Sequence, residues 1–364
     1  MTPILHLAVV IDGAGAHPGA SSDSDPADLL AAETYVARAR LAEVGLLDFV
    51  LLEDSFVAGR DQRLDALLAM ARVAPQTSHI GLVASVNTTH TEPFNVAKNV
   101  ATLDWVSIGR AAWRPVILTE PAEYAQFGRR VPAATETLWA EAADVVDVVG
   151  RLADSWEDGA IVRDQPTGRY IDRDKVHYVD YEGSFFSVRG PSITPRSPQG
   201  QPLVVIDGEA GPIAARWADV VIVDAATPHE ALARRTELRA AVTEAGRDPD
   251  QVFMMVRVEM WLGDAATTER ATLDRLAPWP EVPGRFRYVG PALQFAAVLG
   301  QWADATDGFV LIAARLPQDL ACFVGVTAPA LSNAGHFRAS YAGTQLREHF
   351  GLARPANRYA GKQP

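Results

Sequence analysis

Short apolar runs alternate with amphipathic stretches along most of the chain. Leu5 to Ile11, Phe49 to Leu52, Ile80 to Ala84 and a segment from about Ala111 to Leu118 are nearly unbroken in their apolar character. Runs of this kind predict strands buried on both faces. Between them apolar positions return at helical spacing, giving helices from about Asp28 to Glu43, Arg63 to Arg72 and Phe94 to Trp105. Leu138 to Trp156 is also helical, and then the alternation stops. Residues 158–201 are rich in Gly, Pro and charge. The rhythm resumes with strands at Leu203 to Ile206, Val220 to Val223, Phe253 to Trp261 and Gly308 to Ile312. Helices are predicted at Pro212 to Ala218, His229 to Ala245, Ala265 to Leu276 and Pro291 to Ala303. A second irregular segment covers 277–289, and Leu316 to Leu331 and Arg338 to Phe350 read as terminal helices.

Repeated strand–helix units predict an α/β protein with a parallel sheet. Eight strands, each followed by a helix, predict one (β/α)8 TIM barrel over residues 1–364, with insertions at about 158–201 and 277–289. An open doubly wound sheet is the alternative. It wants a glycine-rich phosphate loop after the first strand, and Gly13-Ala14-Gly15 lacks both the third glycine and a helix start.

Composition narrows the function. Hydrophobic residues make up 48% of the 364 positions, enough for a large core. The formal net charge of −12 argues against nucleic acid or an anionic membrane as partner. The single cysteine, Cys322, lies in an apolar run and reads as an inert buried thiol, which leaves no cysteine framework for a disulfide or a metal. No basic leader and no long apolar span are visible, so a cytoplasmic protein is expected. The tail from Ala353 to Pro364 is expected to be poorly ordered unless an oligomer partner holds it, and His336 and His349 to lie at the surface.

The chemistry of such barrels sits after the strands. The loop Asn87-Thr88-Thr89-His90-Thr91-Glu92 follows the third strand and collects hydroxyls, an amide, an imidazole and a carboxylate. His90 is a candidate general acid, because an imidazole is readily tuned near neutrality. A packing role for it is the simpler alternative. Asp54 follows the second strand, where it acts either at a site or as a turn cap.

Several segments together carry a family resemblance: Asp54-Ser55, Ile80 to Trp113, Asp154 to Asp164, Lys175 to Pro191, Pro195 to Val205, Ala214 to Val221 and Tyr341 to Leu352. In this order they make the chain resemble the bacterial-luciferase-like flavin-dependent monooxygenases. The branch is that of the nitrilotriacetate and dibenzothiophene sulfone monooxygenases. The resemblance implies a (β/α)8 barrel forming a homodimer or homotetramer. It also implies reduced FMN from a separate flavin reductase, which with O2 oxygenates a small organic substrate. It places Asp54, Thr88, Thr89, Trp113 and Gly208 at the flavin and no metal in the site.

Departures from the family pattern cluster where the flavin would lie. Arg114 stands where the branch carries an asparagine facing the flavin. It is expected either to stabilise an anionic flavin or a substrate carboxylate, or to fill the flavin's place. Leu138-Trp139 replaces an Arg-Tyr pair, and the turn Asp207-Gly208-Glu209-Ala210-Gly211-Pro212 replaces a serine-bearing phosphate turn. A phosphate dianion there meets like charge, and Pro212 removes one donor. The same carboxylates disfavour the acidic tail of a deazaflavin. The alternative reading is a flavin-free relative serving as a non-catalytic partner subunit or small-molecule binding protein.

Overall fold

A computed structural model describes residues 4–23, 26–56 and 63–361. Its strands in chain order are β1 His6–Val10, β2 Phe49–Leu52, β3 Gly81–Asn87 and β4 Ala111–Val116. Two small hairpins follow, β5 Ile161–Asp164 with β6 Arg169–Ile171, and β7 Tyr181–Glu182 with β8 Ser187–Val188. Then come β9 Leu203–Asp207, β10 Val220–Val223, β11 Phe253–Leu262, β12 Phe286–Gly290 and β13 Gly308–Ala313. The helices are α1 Pro26–Leu30, α2 Ala32–Val44, α3 Ala66–Val73, α4 Pro93–Val106, α5 Pro121–Phe127, α6 Thr135–Asp154 and α7 Pro212–Trp217. They continue with α8 Pro228–Glu244, α9 Ala266–Asp274, α10 Ala292–Gly300, α11 Gln318–Cys322, α12 Ala328–Asn333 and α13 Leu346–His349.

The parallel strands β1, β2, β3, β4, β9, β10, β11 and β13 pair in that order, and β13 returns to β1 through His6↔Gly308. The ring therefore closes as a (β/α)8 barrel, and these are the eight strands expected from the apolar runs. The predicted insertion at 158–201 carries the two hairpins. The second irregular segment ends in β12, which runs parallel to the far half of β11.

Strand periodicity sorts the side chains. Phe49 and Leu51, Val83, Ala112, Leu203 and Val205, Val220 and Ile222, Met255 and Val310 pack together inside the barrel. Their neighbours Val50, Leu52, Leu82, Ala84, Val221 and Val256 pack outward under the helices. Leu346 and Phe350 close the N-terminal end of the barrel, where the Phe350 ring stacks on His6 at 4.3 Å.

Three local expectations are corrected. The segment from Arg338 forms a helix only at Leu346–His349, begun by a Gln345–Glu348 capping box. A Cβ at Gly343 would meet the Glu348 carboxylate at 2.1 Å, so the chain before the helix is bent back over that side chain. His349 is buried, with Nδ1 3.3 Å from the Asp48 carbonyl. The tail is strapped down through residue 361: Arg354 binds Asp158, and the Asn357 amide donates to the Asp154 and Trp156 carbonyls. Residues 362–364 lie outside the described residues. Among the described residues no helix is long and apolar enough to cross a membrane.

Candidate active site

Inward positions at the C-terminal ends of the strands turn from apolar to charged. Glu53 follows Phe49 and Leu51, Arg114 follows Ala112, Asp207 follows Leu203 and Val205, and Asp224 follows Val220 and Ile222. On β11 the step is from Met255 to Arg257 and Glu259. Closing the barrel brings these into one network. The Arg114 guanidinium joins Glu53 to Asp207, lying 2.5 Å from the latter, and its Nη1 donates to Ser85 Oγ at 3.2 Å. Asp207 also binds Arg257, whose Nη1 is 3.7 Å from Asp224. Arg285 forks onto Asp224 at 2.7 and 3.0 Å, and β12 supplies Arg287 to Glu259 at 2.6 Å.

Four guanidiniums and four carboxylates thus alternate across the mouth with no net formal charge. Burial opposes the charge on Arg114, but Glu53 and Asp207 outweigh it and hold its pKa above the usual value. Burial likewise opposes Asp207, whose carboxyl is held below its usual range by Arg114 and Arg257. Arg114 therefore spends its forked end on two carboxylates and is not a free cation for a ligand.

The β3–β4 edge of the mouth is different. The His90 N–H donates to Asn87 Oδ1 at 2.8 Å, which turns Asn87 Nδ2 the other way. The His90 ring stacks on Phe127 at 4.2 Å and meets Tyr124 edge-on at 5.0 Å. Burial, with help from Arg130, lowers the His90 pKa, so the imidazole is neutral at pH 7. Asn87 Nδ2, His90 Nε2, Arg114 Nε and Tyr124 Oη are all buried without a hydrogen-bond partner among the described residues. A buried polar atom left unpaired costs about 1–3 kcal/mol, and Asn87 Nδ2 and Arg114 Nε are donors only, so these atoms call for polar partners that include an acceptor.

The other sequence candidates fall as follows. Thr88 Oγ1 donates to the Val116 carbonyl at 3.1 Å, and Thr89 Oγ1 accepts from Leu118 N at 3.1 Å. Both hydroxyls therefore fasten the loop to the end of β4. Trp113 follows strand alternation: Ala112 and Arg114 point inward, and Trp113 packs outward against α4 and α6. Asp54 also leaves the mouth to its neighbour Glu53. It sits at the start of α3 beside Asp65, and burial together with that like charge raises its pKa to about 6. Gly208 serves a close approach, because a Cβ there would meet Val223 at 2.7 Å. Sequence reasoning missed Glu53, Asp224, Arg257 and Glu259. Charged residues at alternate positions within apolar β11 were the available signal.

Flavin chemistry tests these residues in two halves. An isoalloxazine edge carries carbonyl oxygens and ring nitrogens that accept hydrogen bonds. Asn87 Nδ2 and Arg114 Nε are obligate donors and suit it. The phosphate half of FMN fits poorly: the turn after β9 offers Asp207, Glu209 and Pro212, and Leu138 is buried in the core. Among the described residues no group of His, Cys, Asp or Glu is arranged to hold a metal.

Comparison with known proteins gives a consistent family. Residues 11–307 match the model of the luciferase-like monooxygenases. The N-acetyl-S-(2-succino)cysteine monooxygenase of Bacillus subtilis is 29% identical, covering 98% of each chain. That alignment extends over 437 positions, more than this chain possesses, so the relative carries segments without counterpart here. Nitrilotriacetate monooxygenase component A of Aminobacter aminovorans is 30% identical over 90% of this chain and 91% of its own. A riboflavin lyase, solved with modified FMN and riboflavin, superposes with a TM-score of 0.87 at 22% identity, covering 98% of each chain.

Proposed function

The chain belongs to the luciferase-like monooxygenase family, and from that premise we propose that it oxygenates a small organic substrate using reduced flavin and O2. The observation that carries the reading is the set of buried, unpaired polar atoms at Asn87, His90, Arg114 and Tyr124. The bound flavin supplies the activation of O2. Asn87 and Arg114 hold the acceptor edge of its ring system. Neutral His90 exchanges a proton through Nε2, and its stacked partner Phe127 excludes water. Arg130 fixes the loop by binding the Thr89 carbonyl and forking onto Glu141 at 2.6 and 2.8 Å. Substrate enters from the rim, where Arg285 and Arg287 line a cavity of about 600 Å³. A separate reductase, a cytoplasmic setting and a homodimeric or homotetrameric assembly complete this reading.

FMN itself is the finer part of the proposal, and the turn after β9 bears on it. Glu209 beside a phosphate dianion costs affinity, whereas riboflavin carries no such charge. Titrations with FMN and with riboflavin, followed by quenching of flavin fluorescence, test both levels. Saturable quenching by either flavin is expected, with riboflavin at least as tight as FMN. Glu209→Gln is expected to tighten FMN about threefold and leave riboflavin unchanged, since an exposed like-charge contact is worth under about 1 kcal/mol. No saturation by either flavin at millimolar concentration overturns the flavin reading.

A second reading is favoured by the network across the mouth. Among the described residues, the eight side chains of this network neutralise one another, so its guanidiniums are already paired and not offered to a phosphate or a reduced flavin. On this reading the chain is a flavin-free partner of a catalytic homologue. It predicts colourless protein that co-purifies with that homologue, and unaided oxygenation by the isolated chain excludes it.

A further inference from the structure

On the outer side of β4, away from the mouth, α6 and α7 diverge over a cavity of about 190 Å³. Its floor is apolar, with Trp113 from β4, Val146 and Val149 from α6, and Trp217 from α7. Its rim is cationic. Arg216, Arg247, Arg347 and Arg358 line the space, against the single carboxylate of Asp219. Such a concentration stands out in a chain of net charge −12.

Two of these arginines are held by partners that leave part of each guanidinium over. Arg347 donates to the Gln201 carbonyl at 2.7 and 3.0 Å and stands 3.8 Å from Asp219. Arg358 reaches back from the tail to Asp147 and Asp154 at 3.4 and 3.3 Å. The other two make no ion pair among the described residues. Arg247 donates Nη1 to the Ala215 carbonyl at 2.9 Å, and Arg216 lies over the Trp217 ring at 5.2 Å. Burial pushes the Arg247 pKa down, with only Asp219 opposing it. A partly buried guanidinium with no carboxylate of its own is a cost unless an anion repays it.

We propose that this cavity binds a small aromatic carboxylate, its ring against the two indoles and its carboxylate on Arg247 and Arg216. The dimensions suit a single ring bearing one acid group, since a cavity of about 150 Å³ already admits benzene. A guanidinium fork matches a carboxylate bidentately, and the indole faces supply the apolar contact. The cavity does not touch the mouth, but two elements run from one to the other. Trp113 precedes Arg114 on β4, so one residue faces the cavity and the next faces the network. The helix α7 carries Arg216 and Trp217 at one end and starts just past Asp207 at the other. The proposal stands apart from the flavin reading, because none of these four arginines belongs to the mouth.

Titration of the full chain with benzoate at low salt, read by tryptophan fluorescence and by equilibrium dialysis, tests it. Saturable binding below millimolar concentration is expected, at one benzoate per chain. Arg216→Gln and Arg247→Gln are each expected to weaken it at least tenfold. Arg216 is exposed, so its substitution leaves folding intact, which far-ultraviolet circular dichroism checks. Absence of saturable binding overturns the site. Binding untouched by both substitutions overturns it equally. Inorganic phosphate or phenol binding as tightly as benzoate overturns the pairing of ring with carboxylate.

Discussion

Arg114 is the residue on which the reading of the mouth turns. Its identity is plain in the sequence, but its partners are 61 and 93 positions away. Removing it leaves Glu53 and Asp207 facing each other without a cation, while Arg257 still serves Asp207. Because Glu53 is partly solvated, Arg114→Asn is expected to cost about 2–3 kcal/mol, below the value for a fully buried pair. Urea denaturation at neutral pH measures it, and an unchanged midpoint contradicts the network. Asp54 supplies a pH test. Its folded pKa of about 6 lies above the ordinary 3.8, so the folded state keeps the proton longer than the unfolded chain. The associated stability is present below about pH 4 and is lost as pH rises through about 6. Asp54→Asn keeps an oxygen for the Ser55 amide and is expected to flatten that decline, as seen in melting temperatures recorded from pH 4 to pH 7.

Among the elements, β9 with its turn and α7 does most to set the site. Gly208 lets the chain leave the strand against Val223 of β10, where a Cβ would sit at 2.7 Å. Gly208→Ala is thus expected to cost about 1–3 kcal/mol through overpacking. It should also loosen the Asp207–Arg114 pair, visible as a lowered melting temperature with native far-ultraviolet dichroism. Strands as elements were legible, and the facing of their side chains was legible in part. Counting by twos from Phe49 reaches Glu53, whereas the acidic residue of the family resemblance pointed to Asp54. Counting by twos from Ala112 likewise assigns Arg114 to the interior and Trp113 to the helices. Helix α2 begins after a break at Ala31 that no proline or glycine announces.

The whole molecule is closed from below and strapped from the side. Asp154 is fully buried and binds Arg196 at 3.0 Å, Gln201 at 2.5 Å and the tail at Arg358. Arg354 and Asn357 add contacts to Asp158 and to two carbonyls of the same corner. Deleting residues 354–364 is expected to destabilise the fold by about 2–4 kcal/mol, since several hydrogen bonds to charged or buried groups vanish together. A guanidinium chloride midpoint reads this, and a midpoint equal to that of the full chain contradicts the strap. The sequence offered no sign of the strap, because a polar segment after the last helix looks the same whether it is free or docked.

What the chain determines by itself is the alternation. Eight apolar runs with helices between them bury their strands in a parallel sheet covered by helices, and that requirement is local and repeated. The loop after the third strand was legible for the same reason, since it follows a run that must be inside. Which charges meet was decided only by closure. Glu53, Arg114, Asp207, Arg257 and Arg287 come from five strands, and no spacing along the chain relates one to the next. The barrel brings them together by register, and the low dielectric of its mouth then requires each charge to find a partner.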